Sequence, residues 1–287
     1  MRTVVVTAAD SGYFDLLRGL VLSLRAFPAL ADLPIAVLDA GLDEAQRAWL
    51  DEAGASLHPV ALEPLPPRDD GVRVISPSQL LRPHLPDVVP GYDVYVYMDA
   101  DIWVQTADAL TSYRRVAAAG SMVIVPEVHT AFPSMYRVRE FDLKAATYKR
   151  LFDRDTVRKL AFRPTINCGC FALAATAPHW RLWAGALDDI VARDNFFYAE
   201  QIALNLVLYD NAAEAPSLFL PPHFNWICHQ ALPAIEHRGG LLCDPLPPFQ
   251  PLAIVHLTGN TKNGVRQLAK TDGTRVERSL RYRAGAY

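Results

Sequence analysis

The chain has 287 residues, 51% of them hydrophobic, 21% charged and 10% aromatic, with a formal net charge of −3 at pH 7. That balance excludes a disordered or fibrous chain and gives no reason to expect a nucleic-acid partner. It is enough sequence for one sizeable core, so one large domain with at most a small appendix is the default.

The N-terminus, MRTVVVTAAD, enters a strand-like run at once, without the apolar core or small-residue cleavage site of a signal peptide. No long stretch is free of charges and turn formers, and no membrane span is expected. Residues 3–8 read as a buried strand, and the apolar spacing of Leu16, Leu17, Leu20, Val21 and Leu24 reads as a helix. A second strand is expected at 34–38, a helix with an acidic first turn from Asp43, and a third strand at 57–61. The Pro-rich piece 63–70 is a surface loop, 77–85 a helix, and 94–98 and 122–125 are further strands. Strands separated by helices imply parallel pairing with right-handed crossovers, an α/β sheet covered on both faces. Its ligand site should lie off the carboxyl ends of the strands, where Asp10 and Asp99 stand.

Beyond residue 126 the pattern weakens. Residues 137–159 hold eight basic and four acidic side chains, which read as one or two solvated helices. Residues 167–173 are apolar and Gly-containing, 180–191 and 200–209 are helical, and 252–255 form a last strand ending at His256. The four cysteines, Cys168, Cys170, Cys228 and Cys243, match no zinc spacing and read as free thiols of a cytosolic protein. From residue 259 onward, seven Lys and Arg stand against Asp272 and Glu277, a balance of +5 that leaves −8 for the rest of the chain. A main domain is therefore expected over 1–264 and a basic tail over 265–287. Arg275, Arg278, Arg281 and Arg283 carry the charge for peripheral contact with an anionic inner membrane face, but with no large apolar face a solvated tail is the simpler expectation.

The chemistry concentrates where Asp99 and Asp101 interrupt the apolar run YVYMDADIWV. A carboxylate at the end of a buried strand needs a partner, whether a basic side chain, backbone N–H groups or a metal. In extended or tightly turning chain, side chains two apart leave on the same side, so both carboxylates can reach one Mg²⁺ or Mn²⁺ and leave positions open for phosphate oxygens. His256 also ends an apolar run, and an imidazole beside carboxylates tilts the preference toward Mn²⁺. After it, Gly259 allows close backbone approach and Lys262 can place an ammonium on a phosphate. A diphosphate suits all of these groups.

These residues resemble those of glycosyltransferases of the GT-A fold, most closely family 8, retaining enzymes that include bacterial lipopolysaccharide galactosyltransferases and glycogenin. Four landmarks stand in the family's order: Ala8-Ala9-Asp10-Ser11-Gly12-Tyr13, Asp99-Ala100-Asp101, Asn167-Cys168-Gly169 followed by Glu200-Gln201, and the His-x-x-Gly-x-x-Lys of 256–262. The resemblance spans about residues 3–262. It implies a Rossmann-like, mostly parallel sheet and transfer of a sugar from a UDP-sugar to a hydroxyl of a saccharide or lipopolysaccharide acceptor. By the same resemblance, Ala8, Asp10, Tyr13, Arg82, Asp99, Ala100, Asp101, Gly259 and Lys262 would hold the nucleotide diphosphate, with Asp10 on the uracil edge and Tyr13 on its face. Asp99, Asp101 and His256 would hold Mn²⁺ or Mg²⁺, while Asn167, Glu200 and Gln201 would surround the donor sugar. Read without the family, Asp10 is equally a helix N-cap, Tyr13 a packing residue and Arg82 a surface arginine. Asn167, Glu200 and Gln201 are then polar residues capping or lining a helix.

The chain departs from the family at Glu200 and Ile202, where Asp is usual, and at Asn263-Gly264, where Pro-Trp is usual. A nucleotidyltransferase is the rival enzyme reading, and the segment after the first strand lacks its usual Gly-rich, basic loop. A non-catalytic sugar-nucleotide-binding protein is the other, since a fold alone does not establish activity.

Overall fold

The computed structural model describes residues 1–284. The strand β1 (Thr3–Ala9) is built on Val4, Val5 and Val6, β-branched side chains that suit a buried pleated strand. A tight turn leads into α1 (Phe14–Arg25), which buries Leu16, Leu17, Leu20, Val21 and Leu24. After β2 (Ile35–Asp39), α2 (Glu44–Glu52) opens with a capping box in which Asp43 and Gln46 each accept the other's backbone N–H. β3 (Ala55–Pro59) starts two residues before the expected 57, because Gly54, at φ 70°, ends α2 abruptly and Ala55 already pairs with Ile35.

The helix expected over 77–85 is divided. α3 (Pro77–Leu80), capped by Ser76, passes into a turn at Arg82–His84 and then α4 (Leu85–Val88), since Pro83 and Pro86 lack the N–H a continuous helix needs. The break turns Arg82 inward, where it is buried. β4 (Val94–Met98) is wholly buried, and β5 (Ile102–Val104), α5 (Asp108–Ala118) and β6 (Met122–Pro126) follow. α6 (Val138–Leu151) and α7 (Arg154–Ala161) occupy the charged stretch, yet they bury Tyr148, Leu151, Val157 and Leu160 rather than lying wholly in solvent. β7 (Ile166–Ala174), α8 (His179–Arg193), α9 (Ala199–Asp210) and β8 (Ser217–Phe219) complete the main layers.

Seven strands form one sheet in the order β3-β2-β1-β4-β7-β6-β8. Pairing is parallel for β1–β2, β2–β3, β1–β4 and β6–β8, and antiparallel where β7 meets β4 and β6. Alternation along each strand feeds two cores. Val4, Val6, Tyr95, Tyr97 and Phe171 pack with Trp183, Leu187 and Leu204 of α8 and α9, while Val5, Val94, Val96 and Met98 pack with α1 and α5. This is the mostly parallel sheet with helices on both faces that the sequence predicts.

The last part of the chain adds β9 (Trp226–Ile227), β10 (Ala234–Ile235), β11 (Leu242–Cys243), β12 (Ile254–His256), β13 (Arg266–Ala269) and β14 (Arg275–Arg278). β12 lies between β5, antiparallel, and β9, parallel, so that His256 is directly opposite Ile102. The basic segment after residue 264 is not a solvated tail: β13 and β14 form a hairpin, Leu268 and Leu280 are buried, and the Trp103 indole N–H donates to the Leu280 carbonyl at 2.9 Å. Residues 285–287 of that segment lie outside the described residues. No helix among the described residues is long and apolar enough to cross a membrane.

Candidate active site

The strand order changes direction between β1 and β4: β1, β2 and β3 run outward on one side, and the chain then returns to start β4 on the other. The crevice beyond the carboxyl ends of strands at such a switch point is where open α/β sheets bind ligands. A cavity of about 930 Å³ lies there. All thirteen residues singled out from the sequence line it: Ala8, Asp10, Tyr13, Arg82, Asp99, Ala100, Asp101, Asn167, Glu200, Gln201, His256, Gly259 and Lys262.

Its most densely charged part is the turn after β4. The Asp99 N–H donates to the Gly169 carbonyl at 2.7 Å, and the Leu257 N–H to the Asp101 carbonyl at 2.9 Å, so the acidic turn is clamped by β7 on one side and β12 on the other. His256 Nε2 lies 3.2 Å from Asp101 Oδ1 and 3.8 Å from Asp99 Oδ2. The remaining oxygens face cations: Asp101 Oδ2 is 2.7 Å from Lys262 Nζ, and Asp99 Oδ1 is 2.6 Å from Arg82 Nη2. Burial pushes the Asp101 carboxyl up, but His256 and Lys262 outweigh it and hold it at about 2. Burial likewise pulls Lys262 down, while Asp101 and the Tyr13 hydroxyl keep its ammonium above the usual lysine range.

The donor set suits a hard divalent cation. One oxygen from each carboxylate and one imidazole nitrogen lie within 4.8 Å of one another, comparable with the roughly 3 Å between neighbouring positions of an octahedral Mg²⁺ shell. The wall opposite them is Gly169, where a Cβ would fall 2.4 Å from Asp99 Oδ2, 2.5 Å from His256 Cε1 and 2.9 Å from Asn167 Oδ1. Any side chain there would fill the space that Asp99, Asp101 and His256 surround.

Behind this cluster, Arg82 bridges two carboxylates. Besides Asp99 it reaches Glu200, whose Oε2 is 3.1 Å from Nη1, and its guanidinium lies 4.3 Å from the centre of the Tyr97 ring. Burial pulls Arg82 down, and Asp99 and Glu200 more than compensate, so it stays charged. Its Nε is buried without a hydrogen-bond partner. Glu200 is fully buried, accepts also from the Cys168 thiol at 3.1 Å, and has its carboxyl pushed up by burial. Cys168 further approaches Gln201 Oε1 at 3.7 Å.

At the β1 end of the cavity, Asp10 caps the turn Ser11–Tyr13 by accepting the Tyr13 N–H at 3.0 Å. The Tyr13 hydroxyl accepts from Lys262 Nζ at 3.0 Å, and that ammonium sits 4.7 Å from the ring centre, joining the two ends of the chain across the cavity. Gly259 begins the turn carrying Lys262 at φ 59°, a left-handed conformation that favours glycine.

Several lining or supporting residues carried no signal in the sequence reading. Asn225 turns its oxygen to His256 Nδ1 and donates through its NH₂ to Asn167; Glu127 accepts from Asn167 and Gln230; His229 lines the cavity. Glu127 follows β6 as Asp99 follows β4, so a strand-end carboxylate was there to be found. Asn225 stands in an irregular turn, where no periodicity marks it.

No protein-family model matches the chain, and no curated protein does. Solved structures do. The galactosyltransferase LgtC, in complex with donor and acceptor sugar analogs, aligns with a TM-score of 0.56 at 17% identity over 90% of this chain and 88% of that one. Mouse xyloside xylosyltransferase 1 aligns at 0.53 and 13% identity, over 90% and 98%. GlyE from Streptococcus pneumoniae aligns at 0.52 and 18%, over 97% of this chain and 57% of that one. The likeness extends across glycosyltransferases of several kinds and does not single out family 8. What it establishes is the architecture: this chain has the GT-A fold of these glycosyltransferases.

Proposed function

We propose that the protein is a glycosyltransferase that moves a sugar from a nucleoside-diphosphate donor, a UDP-sugar, to a hydroxyl of a saccharide acceptor, with retention at the anomeric carbon. The observation that carries the reading is the meeting of Asp99, Asp101 and His256 with Lys262 at the strand-end crevice of a GT-A fold. That LgtC is described with donor and acceptor sugar analogs supports the two substrate classes.

In this reading Tyr13 stacks on the base and Asp10 accepts from its edge. Mn²⁺, or Mg²⁺, held by Asp99, Asp101 and His256 would supply Lewis-acid stabilisation of the diphosphate. Lys262, held cationic by its surroundings, places a positive charge where the departing diphosphate gains its negative one, and preorganised charge of this kind is commonly the largest catalytic term. Arg82, fixed between Asp99 and Glu200, has its buried Nε left to donate to a donor oxygen. Glu200 is poorly suited as a nucleophile, because Arg82 and Cys168 occupy it and it is fully buried. The reaction then proceeds on one face of the sugar: the bond from the anomeric carbon to the phosphate oxygen breaks, the acceptor oxygen bonds to that carbon, and the hydroxyl proton passes to the leaving phosphate. Asn167 would hold donor hydroxyls and Gln201 would steady the cationic sugar.

The test is incubation with a panel of UDP-sugars, acceptor saccharides and Mn²⁺, following UDP release with and without a chelator. Chelator-sensitive release and an α-configured product from an α-linked donor are expected. Failure of every donor together with no Mn²⁺ binding would overturn the reading.

A further inference from the structure

The side chains behind His256 form a directional chain. Glu127 Oε1 faces Asn167 Nδ2 at 3.4 Å, Asn167 Oδ1 faces Asn225 Nδ2 at 3.4 Å, and Asn225 Oδ1 faces His256 Nδ1 at 3.0 Å. The other Glu127 oxygen accepts from Gln230 Nε2 at 3.1 Å. Each orientation forces the next. The Gly169 N–H donates to Asn167 Oδ1 at 3.0 Å, so that atom is the amide oxygen, and Asn167 must turn its NH₂ to Glu127 and its oxygen to Asn225. Asn225 must then offer its NH₂ to Asn167 and its oxygen to the imidazole, which requires a hydrogen on Nδ1 and leaves Nε2 to face Asp99 and Asp101.

We propose that Asn225 is a positioning residue that sets the tautomer and ring orientation of His256 for metal ligation and ties that setting to Asn167 at the sugar subsite. The proposal rests on the metal-site reading above. Asn225 is well placed for the task. It is 1% exposed, and the strand that follows it, β9, pairs directly with β12, while the Cys228 N–H donates to the His256 carbonyl at 3.1 Å. Ring and amide are thus held by neighbouring backbones and cannot drift apart without breaking the β9–β12 pairing. Outer hydrogen-bond partners of ligating histidines commonly fix ring and tautomer in this way, and their loss lowers metal affinity roughly 10- to 100-fold.

The experiment is Mn²⁺ titration of the purified full chain, free Mn²⁺ being read by electron paramagnetic resonance, with melting curves confirming that each variant is folded. Asn225→Ala should weaken Mn²⁺ binding roughly 10- to 100-fold. Asn225→Asp still accepts from Nδ1–H but cannot donate to Asn167; it should bind Mn²⁺ close to wild type while raising KM for the donor. If wild type binds no Mn²⁺, the metal-site reading itself falls. If wild type binds and Asn225→Ala binds equally well, or if Asn225→Asp loses Mn²⁺ as completely as Asn225→Ala, only the role of Asn225 is overturned.

Discussion

Gly169 is the residue whose smallness the site uses most directly. Its φ is not in the left-handed region, so the requirement is space rather than backbone conformation. A Cβ at 2.4 Å from Asp99 Oδ2 and 2.5 Å from His256 Cε1 has no room, and the groups it meets are pinned: Asp99 by Arg82 and His256 by Asn225. Gly169→Ala should therefore push the proposed ligands apart and weaken Mn²⁺ binding at least about 10-fold, the lower end of what disturbing a ligand's support costs, in a protein that still melts cooperatively. Unchanged Mn²⁺ affinity in the same titration, read by electron paramagnetic resonance, would show that Gly169 does not wall the ion's place. The three residues proposed as ligands stood out in the sequence because each is a charged or imidazole group at the edge of an apolar strand, a costly placement that demands a partner. Their supports were not. Asn225 and Gln230 are neutral amides in turns whose significance depends on which side chains lie opposite, and that, like the partners of the strand-end carboxylate Glu127, is decided by pairings between segments far apart in the chain.

The elements divide in the same way. β1, β2, β4 and α1 were readable because their burial is set by their own apolar period, whereas β3 was displaced by two residues because Gly54, not the apolar pattern, decides where α2 ends. The broken helix at 77–88 was under-read although Pro83 and Pro86 announce it. The β13–β14 hairpin was missed because its strands carry mostly Arg, Gln and Glu, and two leucines, Leu268 within β13 and Leu280 just past β14, are its buried ones. That gives a measurable distinction between a folded appendix and a solvated tail. Leu280→Ala should destabilise the protein by about 2–5 kcal/mol, the usual cost of emptying a buried leucine site, read as a lower urea midpoint. A solvated tail would give a change within about 0.5 kcal/mol. The hydrogen bond from Trp103 uses the backbone carbonyl of Leu280 and survives the substitution, so the loss reports the side chain alone.

At the scale of the whole molecule, two linkages set stability. His179, buried at the start of α8 with Nδ1 lacking a partner, has its imidazole pulled down to about 4 by burial. Between pH 6.5 and 4 the unfolded chain takes up a proton there that the folded chain refuses, so stability falls as pH drops through that window, by about 3 kcal/mol in all. His179→Phe should lose this slope, so the urea midpoint of wild type should fall relative to that of the variant as pH drops from 6.5 to 4; parallel profiles would refute it. The second linkage runs through the candidate active site. Tyr13 meets Lys262 across 249 positions of sequence, and Asp101 meets His256 across most of the chain, so a bound ion and diphosphate would grip segments that come together only when the sheet is complete. An unfolded chain offers no such site, and saturation at about 100 times Kd stabilises the native state by about 2.7 kcal/mol. For a chain of this size that corresponds to a rise in Tm of roughly 5 °C or more. Mn²⁺ with UDP should raise Tm by more than the two added separately, because the diphosphate completes the ion's coordination and the ion neutralises the diphosphate, a coupling each ligand must feel equally. Asp101→Asn should abolish the Mn²⁺ shift and the excess, leaving only what UDP gains from Tyr13 and Lys262. Strictly additive shifts in wild type would mean that ion and nucleotide do not share the crevice.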